Sequence, residues 1–126
     1  MINRRSNQIG FAYHLTAYLA ANAVMIWINL DTSPEYFWAK WPLTGWLVAI
    51  LFHAYSVFSS SKNNHKEFYH HLVSYLIINA FLIFINFDTY PQYFWFKFPL
   101  VAWTIMIIFH AWRVFSGKQT IDESSL

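Results

Sequence analysis

Apolar residues along this chain fall into four long runs that are separated by short polar segments. The first run covers about residues 11–30 and would form a helix of roughly 30 Å, and the second covers about residues 42–58, or roughly 25 Å. The first is long enough to cross the hydrocarbon core of a bilayer, and the second is near the lower limit for a span. No proline interrupts any of the four runs. The pattern therefore predicts four transmembrane helices.

The chain contains the same sequence twice. Residues 11–58 align without gaps on residues 68–115, and 26 of the 48 positions are identical. Self-similarity of this kind indicates a tandem duplication. It predicts one membrane domain made of repeat one (residues 11–58), a linker (59–67), repeat two (68–115) and a tail (116–126). Because each repeat crosses the membrane twice, we expect an all-α, four-transmembrane-helix bundle built from two parallel repeats of a helical hairpin.

Tyrosine and tryptophan concentrate in the segment between the two helices of each repeat. In repeat one this segment covers residues 31–41 and contains Trp38 and Trp41, and its counterpart in repeat two contains Trp95. Because such side chains settle at the level of the lipid headgroups, we expect them to anchor the segment there. The segment is either a short helix lying in the interface or an irregular loop. Pro42 should occupy the first position of the helix that follows, where proline is tolerated.

Charged side chains are too few to cover a water-facing surface. They make up 11% of the chain, against about 25% in a soluble domain. The absence of cysteine excludes disulfides and thiolate metal sites, and the net charge of +2 is too small to indicate a nucleic-acid partner. No small-residue cleavage site follows the first apolar run, so we expect that run to be a retained span. The composition thus favours a protein whose main partner is the lipid bilayer.

Basic residues favour one side of the predicted membrane domain. Those on this side are Arg4, Arg5, Lys62, Lys66, Arg113 and Lys118, whereas only Lys40 and Lys97 lie on the other. Lysine and arginine are enriched in cytoplasmic segments of membrane proteins. We therefore expect a multi-pass protein with both termini and the linker in the cytoplasm.

Each half of the chain follows one pattern of motifs. It opens with Phe-x-x-His-Leu-x-x-Tyr-Leu, continues to Pro-x-x-x-Trp and closes with Phe-His-Ala. This pattern resembles the bacterial two-transmembrane-domain family, whose hairpin modules occur alone or fused to sensor kinases and transcription regulators. The resemblance covers nearly the whole chain, once per half, and implies a sensing or anchoring hairpin in the bacterial inner (plasma) membrane. It implies no particular chemistry, and we expect any signal to pass through a separate partner.

Polar side chains recur along one face of the first and third predicted helices, within an arc of roughly 80°. This stripe comprises His14, Tyr18, Asn22 and Asn29 in repeat one and His71, Tyr75, Asn79 and Asn86 in repeat two. Because polar groups are costly in hydrocarbon, we expect the stripe to face the protein interior and its asparagines to bond between helices. On the second helix Trp46 shares a face with His53, as Trp103 does with His110 on the fourth.

Four histidines lie at one predicted depth, near the cytoplasmic surface. They are His14, His53, His71 and His110. If they point inward, they converge around the axis that relates the repeats. Imidazole is a ligand for Zn, Cu and Fe, and facing histidines in a helical bundle can hold haem. We therefore consider them the candidate ligands of haem b or of a transition metal (Cu, Zn or Fe), with supporting residues Tyr18, Tyr75, Asn22, Asn79, Trp46 and Trp103.

Two other interpretations of the histidines stay open: structural hydrogen bonding, and a proton-linked or pH-sensing role. The sequence accordingly predicts a small binding module for electron transfer or sensing, or alternatively a membrane anchor or signalling hairpin without a cofactor. An enzyme is not indicated, because no buried acid accompanies a serine–histidine pair and three glycines supply no phosphate loop. A second copy of the chain or another membrane protein would be the partner.

Overall fold

Four helices make up the computed structural model, which describes residues 3–59 and 64–117. They are α1 (Arg4–Thr32), α2 (Lys40–Phe58), α3 (Lys66–Thr89) and α4 (Lys97–Ser116). All four are long and apolar enough to span a membrane, and the described residues contain no strand. The predicted all-α class with four transmembrane-length helices is therefore confirmed.

The helices form two compact units, one containing α1 and α2 and the other containing α3 and α4. Each unit is a hairpin whose two helices contact one another. Helix α1 begins at Arg4 rather than near Phe11, because the Asn3 side chain caps it by accepting a hydrogen bond from the Arg5 backbone N–H. The union of the two hairpins in one bundle stays a prediction.

Apolar side chains cover the outside of both hairpins. Tyr13 is 74% and Trp27 68% exposed in the first unit, and Ile105 and Trp112 are similarly exposed in the second. The buried set, by contrast, includes four asparagines, Asn22, Asn29, Asn79 and Asn86. A water-soluble protein would not expose so many large apolar side chains. This distribution suits a lipid environment, in which polar groups are satisfied inside the protein.

The segments that connect the helices of each hairpin are irregular. Residues 33–39 and 90–96 each form two successive turns with no helix, so the loop interpretation is confirmed and the short interfacial helix is wrong. Helix α2 begins at Lys40, which places Pro42 at the third rather than the first helical position. Proline is still tolerated there, because the first backbone N–H groups of a helix have no acceptor within it.

A buried asparagine organises each connecting segment. Asn29 is fully buried, and its amide group donates to the carbonyl oxygens of Ser33 and Tyr36 at 2.9 and 2.8 Å. Its Oδ1 accepts the backbone N–H of Ala39 at 2.7 Å. Asn86 makes the same three bonds, to Tyr90 O, Tyr93 O and Phe96 N. One side chain at the end of the first helix thus fixes the turn and the start of the second.

Candidate functional site

A direct hydrogen bond between two histidines joins the helices of the first hairpin. His14 on α1 and His53 on α2 place their Nδ1 atoms 2.8 Å apart. Their ring centroids are 5.1 Å apart with the planes tilted by 43°, and the ring of Phe11 packs edge-on against His53. The sequence placed these residues at similar depth, and the structure brings them into contact.

Trp46 determines which nitrogens of this pair are protonated. Its indole N–H, which can only donate, bonds Nε2 of His14 at 2.9 Å. A neutral imidazole has one N–H, so that of His14 lies on Nδ1 and donates to Nδ1 of His53. His53 in turn is protonated on Nε2. The unit contains a directional chain of hydrogen bonds, from Trp46 through His14 to His53.

The second hairpin repeats this chain with its own residues. The Nδ1 atoms of His71 and His110 lie 3.1 Å apart, and the Trp103 indole donates to Nε2 of His71 at 2.8 Å. The ring of Phe68 packs edge-on against His110. The same reasoning places the protons on Nδ1 of His71 and on Nε2 of His110, so the duplication conserves the arrangement atom by atom.

The pairing uses the lone pairs with which these histidines would bind a metal. In each hairpin one imine nitrogen accepts from tryptophan and the other accepts from the partner histidine. Among residues 3–59 and 64–117, no group of three or more His, Cys, Asp or Glu side chains could hold a metal ion. Convergence of all four histidines, and axial pairing of His14 with His71 or of His53 with His110, stay predictions.

The supporting tyrosines hold the start of the second helix of each hairpin. The Tyr18 hydroxyl donates to the carbonyl oxygen of Leu43 at 2.9 Å. In the other unit Thr104 already donates to the Leu100 carbonyl, so the Tyr75 hydroxyl, 2.7 Å from the threonine oxygen, donates to that oxygen. The tyrosine contact therefore reaches the equivalent carbonyl directly in one repeat and through a hydroxyl group in the other.

The supporting asparagines do not bond between helices as the sequence suggested. Asn22 and Asn79 donate to the carbonyl oxygens four residues earlier in their own helices, Tyr18 and Tyr75, both at 2.8 Å. The expectation of interhelical bonds is therefore wrong for this pair of positions, because the backbone acceptor of the preceding turn lies within closer reach. The Oδ1 atom of Asn22 is buried without a partner in the described part of the chain.

A pocket opens beside the histidine pair of the second hairpin. Its volume is about 490 Å³, and it is lined by His71, Ile105, Met106, Phe109, His110 and Arg113. A smaller pocket of about 280 Å³ is also lined by His110, together with Lys66 and Glu67 at the start of α3. His110 thus lines both a largely apolar pocket and one with a mixed lining.

Several residues of the site gave no usable signal in the sequence. Phe11 and Phe68, which pack on the histidines, look like any other apolar residue of a membrane helix. Thr104 has leucine at the equivalent position of repeat one, so the duplication hides its contact with Tyr75. Arg113 counted only toward orientation, although its spacing of three residues from His110 on a helix is a signal of proximity.

The family model for the 2TM domain matches the chain twice, at residues 3–66 and 62–124. The two matches together span almost the whole sequence and are consistent with a tandem duplication of a two-helix unit. No curated protein and no solved structure matches the chain.

Proposed function

We propose that this chain, which belongs to the 2TM domain family as two tandem units, is a membrane anchoring or signalling module. In each hairpin the paired histidines serve to hold the two helices together. The observation that supports this most directly is the 2.8 Å contact between the Nδ1 atoms of His14 and His53. Four apolar helices and the family match make the protein a multi-pass membrane protein.

Hydrogen bonds between helices matter in a bilayer because apolar burial does not drive helices together there. Each such bond contributes about 1 kcal/mol, and the Trp–His–His chain supplies two bonds between the helices of each hairpin. The Asn29 bonds hold the start of α2 against α1, and the bond to His53 holds the region near its end. A hairpin fixed in this way moves as one body, which suits the transmission of a displacement to a partner.

Binding of haem b or of a transition metal (Cu, Zn or Fe) would compete with the hydrogen bonds of the histidine pair. A metal ion binds histidine through an unprotonated ring nitrogen, and both such nitrogens of the pair accept hydrogen bonds. Ligation would therefore break either the bond from Trp46 or the bond between the histidines. This competition favours the alternative without a cofactor over electron transfer.

The proposed setting is the bacterial inner membrane, with the termini in the cytoplasm. Four basic residues support this orientation: Arg4 and Arg5 begin α1, Lys66 begins α3 and Arg113 lies in the last turn of α4. A chain that crosses the membrane four times would place all four on one side, where basic residues indicate the cytoplasm. Lys62 and Lys118 lie outside the described residues, as do residues 60–63 of the linker and 118–126 of the tail. A second copy or another membrane protein would receive the signal.

An absorption spectrum and an elemental analysis of the full chain, purified in detergent, test this function. We expect no Soret band and no stoichiometric Cu, Zn or Fe, together with a lower free energy of unfolding in His14→Ala. One haem or metal ion per chain that disappears in His14→Ala would overturn the proposal. Leu51→Ala, which shortens an exposed side chain of α2, is the matched control.

A further inference from the structure

We infer that the pocket beside His110 is a binding site for one anionic phospholipid, with the phosphate group at Arg113 and an acyl chain along α4. Its volume of about 490 Å³ falls in the range of small-molecule sites. The inference concerns a ligand that the proposed function does not require.

Three polar side chains line this pocket. Both ring nitrogens of His71 are already used within the hairpin, and the other two side chains, His110 and Arg113, are hydrogen-bond donors. Nε2 of His110 has its proton because Nδ1 accepts from His71, and this N–H has no acceptor in the described residues. The guanidinium of Arg113 has five donors and no ion pair within residues 3–59 and 64–117. Because neither group offers a free hydrogen-bond acceptor or a negative charge, the pocket selects an anion with several acceptor oxygens, such as a phosphate diester.

The remaining walls of the pocket are apolar and open outward. Ile105, Met106 and Phe109 precede Arg113 along α4, toward the middle of the helix. All three side chains are exposed. Arg113 is in the last turn of α4, where a long basic side chain reaches the headgroup level. The order of cation and apolar wall along the helix therefore matches the order of headgroup and acyl chain in a lipid leaflet.

Repeat one offers an internal comparison. Ser56 stands where repeat two has Arg113, and Ala49 stands where it has Met106. The histidine pair is the same in both hairpins, so the cation and the longer apolar wall distinguish the second. The lipid site is accordingly assigned to the second hairpin alone.

Native mass spectrometry of the full chain in detergent tests the site, with dioleoyl phosphatidylglycerol and dioleoyl phosphatidylcholine as probes. We expect one phosphatidylglycerol per chain, bound about tenfold more tightly than phosphatidylcholine, as one charge-assisted contact allows. Arg113→Gln should abolish this preference and Met106→Ala should weaken binding of both lipids. Arg5→Gln removes one charge from a residue that does not line the pocket and should change neither. Millimolar inorganic phosphate should not displace the lipid.

Four results would overturn the inference. Unchanged lipid preference in Arg113→Gln means that the pocket does not select the anion. An equal loss in Arg5→Gln means that general charge attraction is responsible. Displacement by inorganic phosphate means that the site binds a free anion. If the protein shows no lipid preference but forms a dimer that Arg113→Gln abolishes, a second copy of the chain occupies the pocket. Helicity measured by circular dichroism confirms that each variant is folded, and Met106→Ala tests the pocket without changing its charge.

Discussion

His14 and His53 are joined through their Nδ1 atoms at 2.8 Å, so that one hydrogen bond between imidazoles connects α1 to α2. The Trp46 indole, which donates to the far nitrogen of His14, gives this bond its direction. The equivalent atoms of the second hairpin repeat the contact. Four histidines that the sequence suggested as ligands thus form two internal pairs.

The first prediction concerns the energy of the histidine pair. His14→Ala should lower the free energy of unfolding in micelles by about 2 kcal/mol, because it removes the bonds to His53 and to Trp46. His53→Ala should lower it by about 1 kcal/mol, because it removes only the bond between the histidines. In the double variant the losses should not add, leaving a coupling energy of about 1 kcal/mol. Denaturation by sodium dodecyl sulfate, followed by circular dichroism, measures all three. Strictly additive losses would contradict a direct bond.

The second prediction contrasts two buried asparagines of α1. Asn29→Leu should cost about 3 kcal/mol or more, because it leaves the Ala39 N–H and two turn carbonyls without their partner. Asn22→Leu should cost about 1 kcal/mol or less, because it removes one bond within a helix. The same denaturation experiment compares them. Equal losses at the two positions would show that the turn does not depend on Asn29.

The third prediction concerns Trp46→Phe, which keeps an aromatic ring but removes the indole donor. Nε2 of His14 then becomes free to hold the proton, so the fixed tautomer should be lost and the hairpin weakened by about 1 kcal/mol. Nitrogen NMR of the histidine rings reports the tautomer. Trp27→Phe, at an exposed position of α1, should leave the spectrum unchanged. A fixed tautomer in Trp46→Phe would mean that another group determines it.

The fourth prediction concerns topology. Cysteine introduced at Ser33 or Tyr90, in the two connecting segments, should react only with reagent added outside the cell. Cysteine at Ser61 or near Leu126, which lie outside the described residues, should react only from the cytoplasm. Labelling of Ser33 and Ser61 from the same side would contradict a hairpin that crosses the membrane twice.

The sequence was sufficient to predict the four helices and to name His14 and His53 as site residues. Hydrophobic run length and internal repetition, on which these predictions rest, are properties of the chain itself. It placed His14 and His53 at similar depth, yet it also allowed His14 to meet His71. Depth alone does not determine which neighbouring helix a side chain contacts. The choice of His53 depends on the turn between α1 and α2, which Asn29 fixes.

The role of Asn29 could not be predicted from its neighbours. Its three partners are backbone atoms of Ser33, Tyr36 and Ala39, and backbone atoms leave no trace in a sequence pattern. Asn22 lies on the same stripe but bonds its own helix. Two asparagines with one periodicity therefore have different functions, which only the side-chain geometry separates.

The most direct test of the central claim is an NMR measurement of coupling across the hydrogen bond between the histidines. In nitrogen-15-labelled protein at about pH 8, where histidine side chains are mostly neutral, we expect a scalar coupling between Nδ1 of His14 and Nδ1 of His53. His14 should be protonated on Nδ1 and His53 on Nε2, and His71 and His110 should give the same pattern. Four histidines with one common tautomer and no coupling between their rings would contradict the pairing.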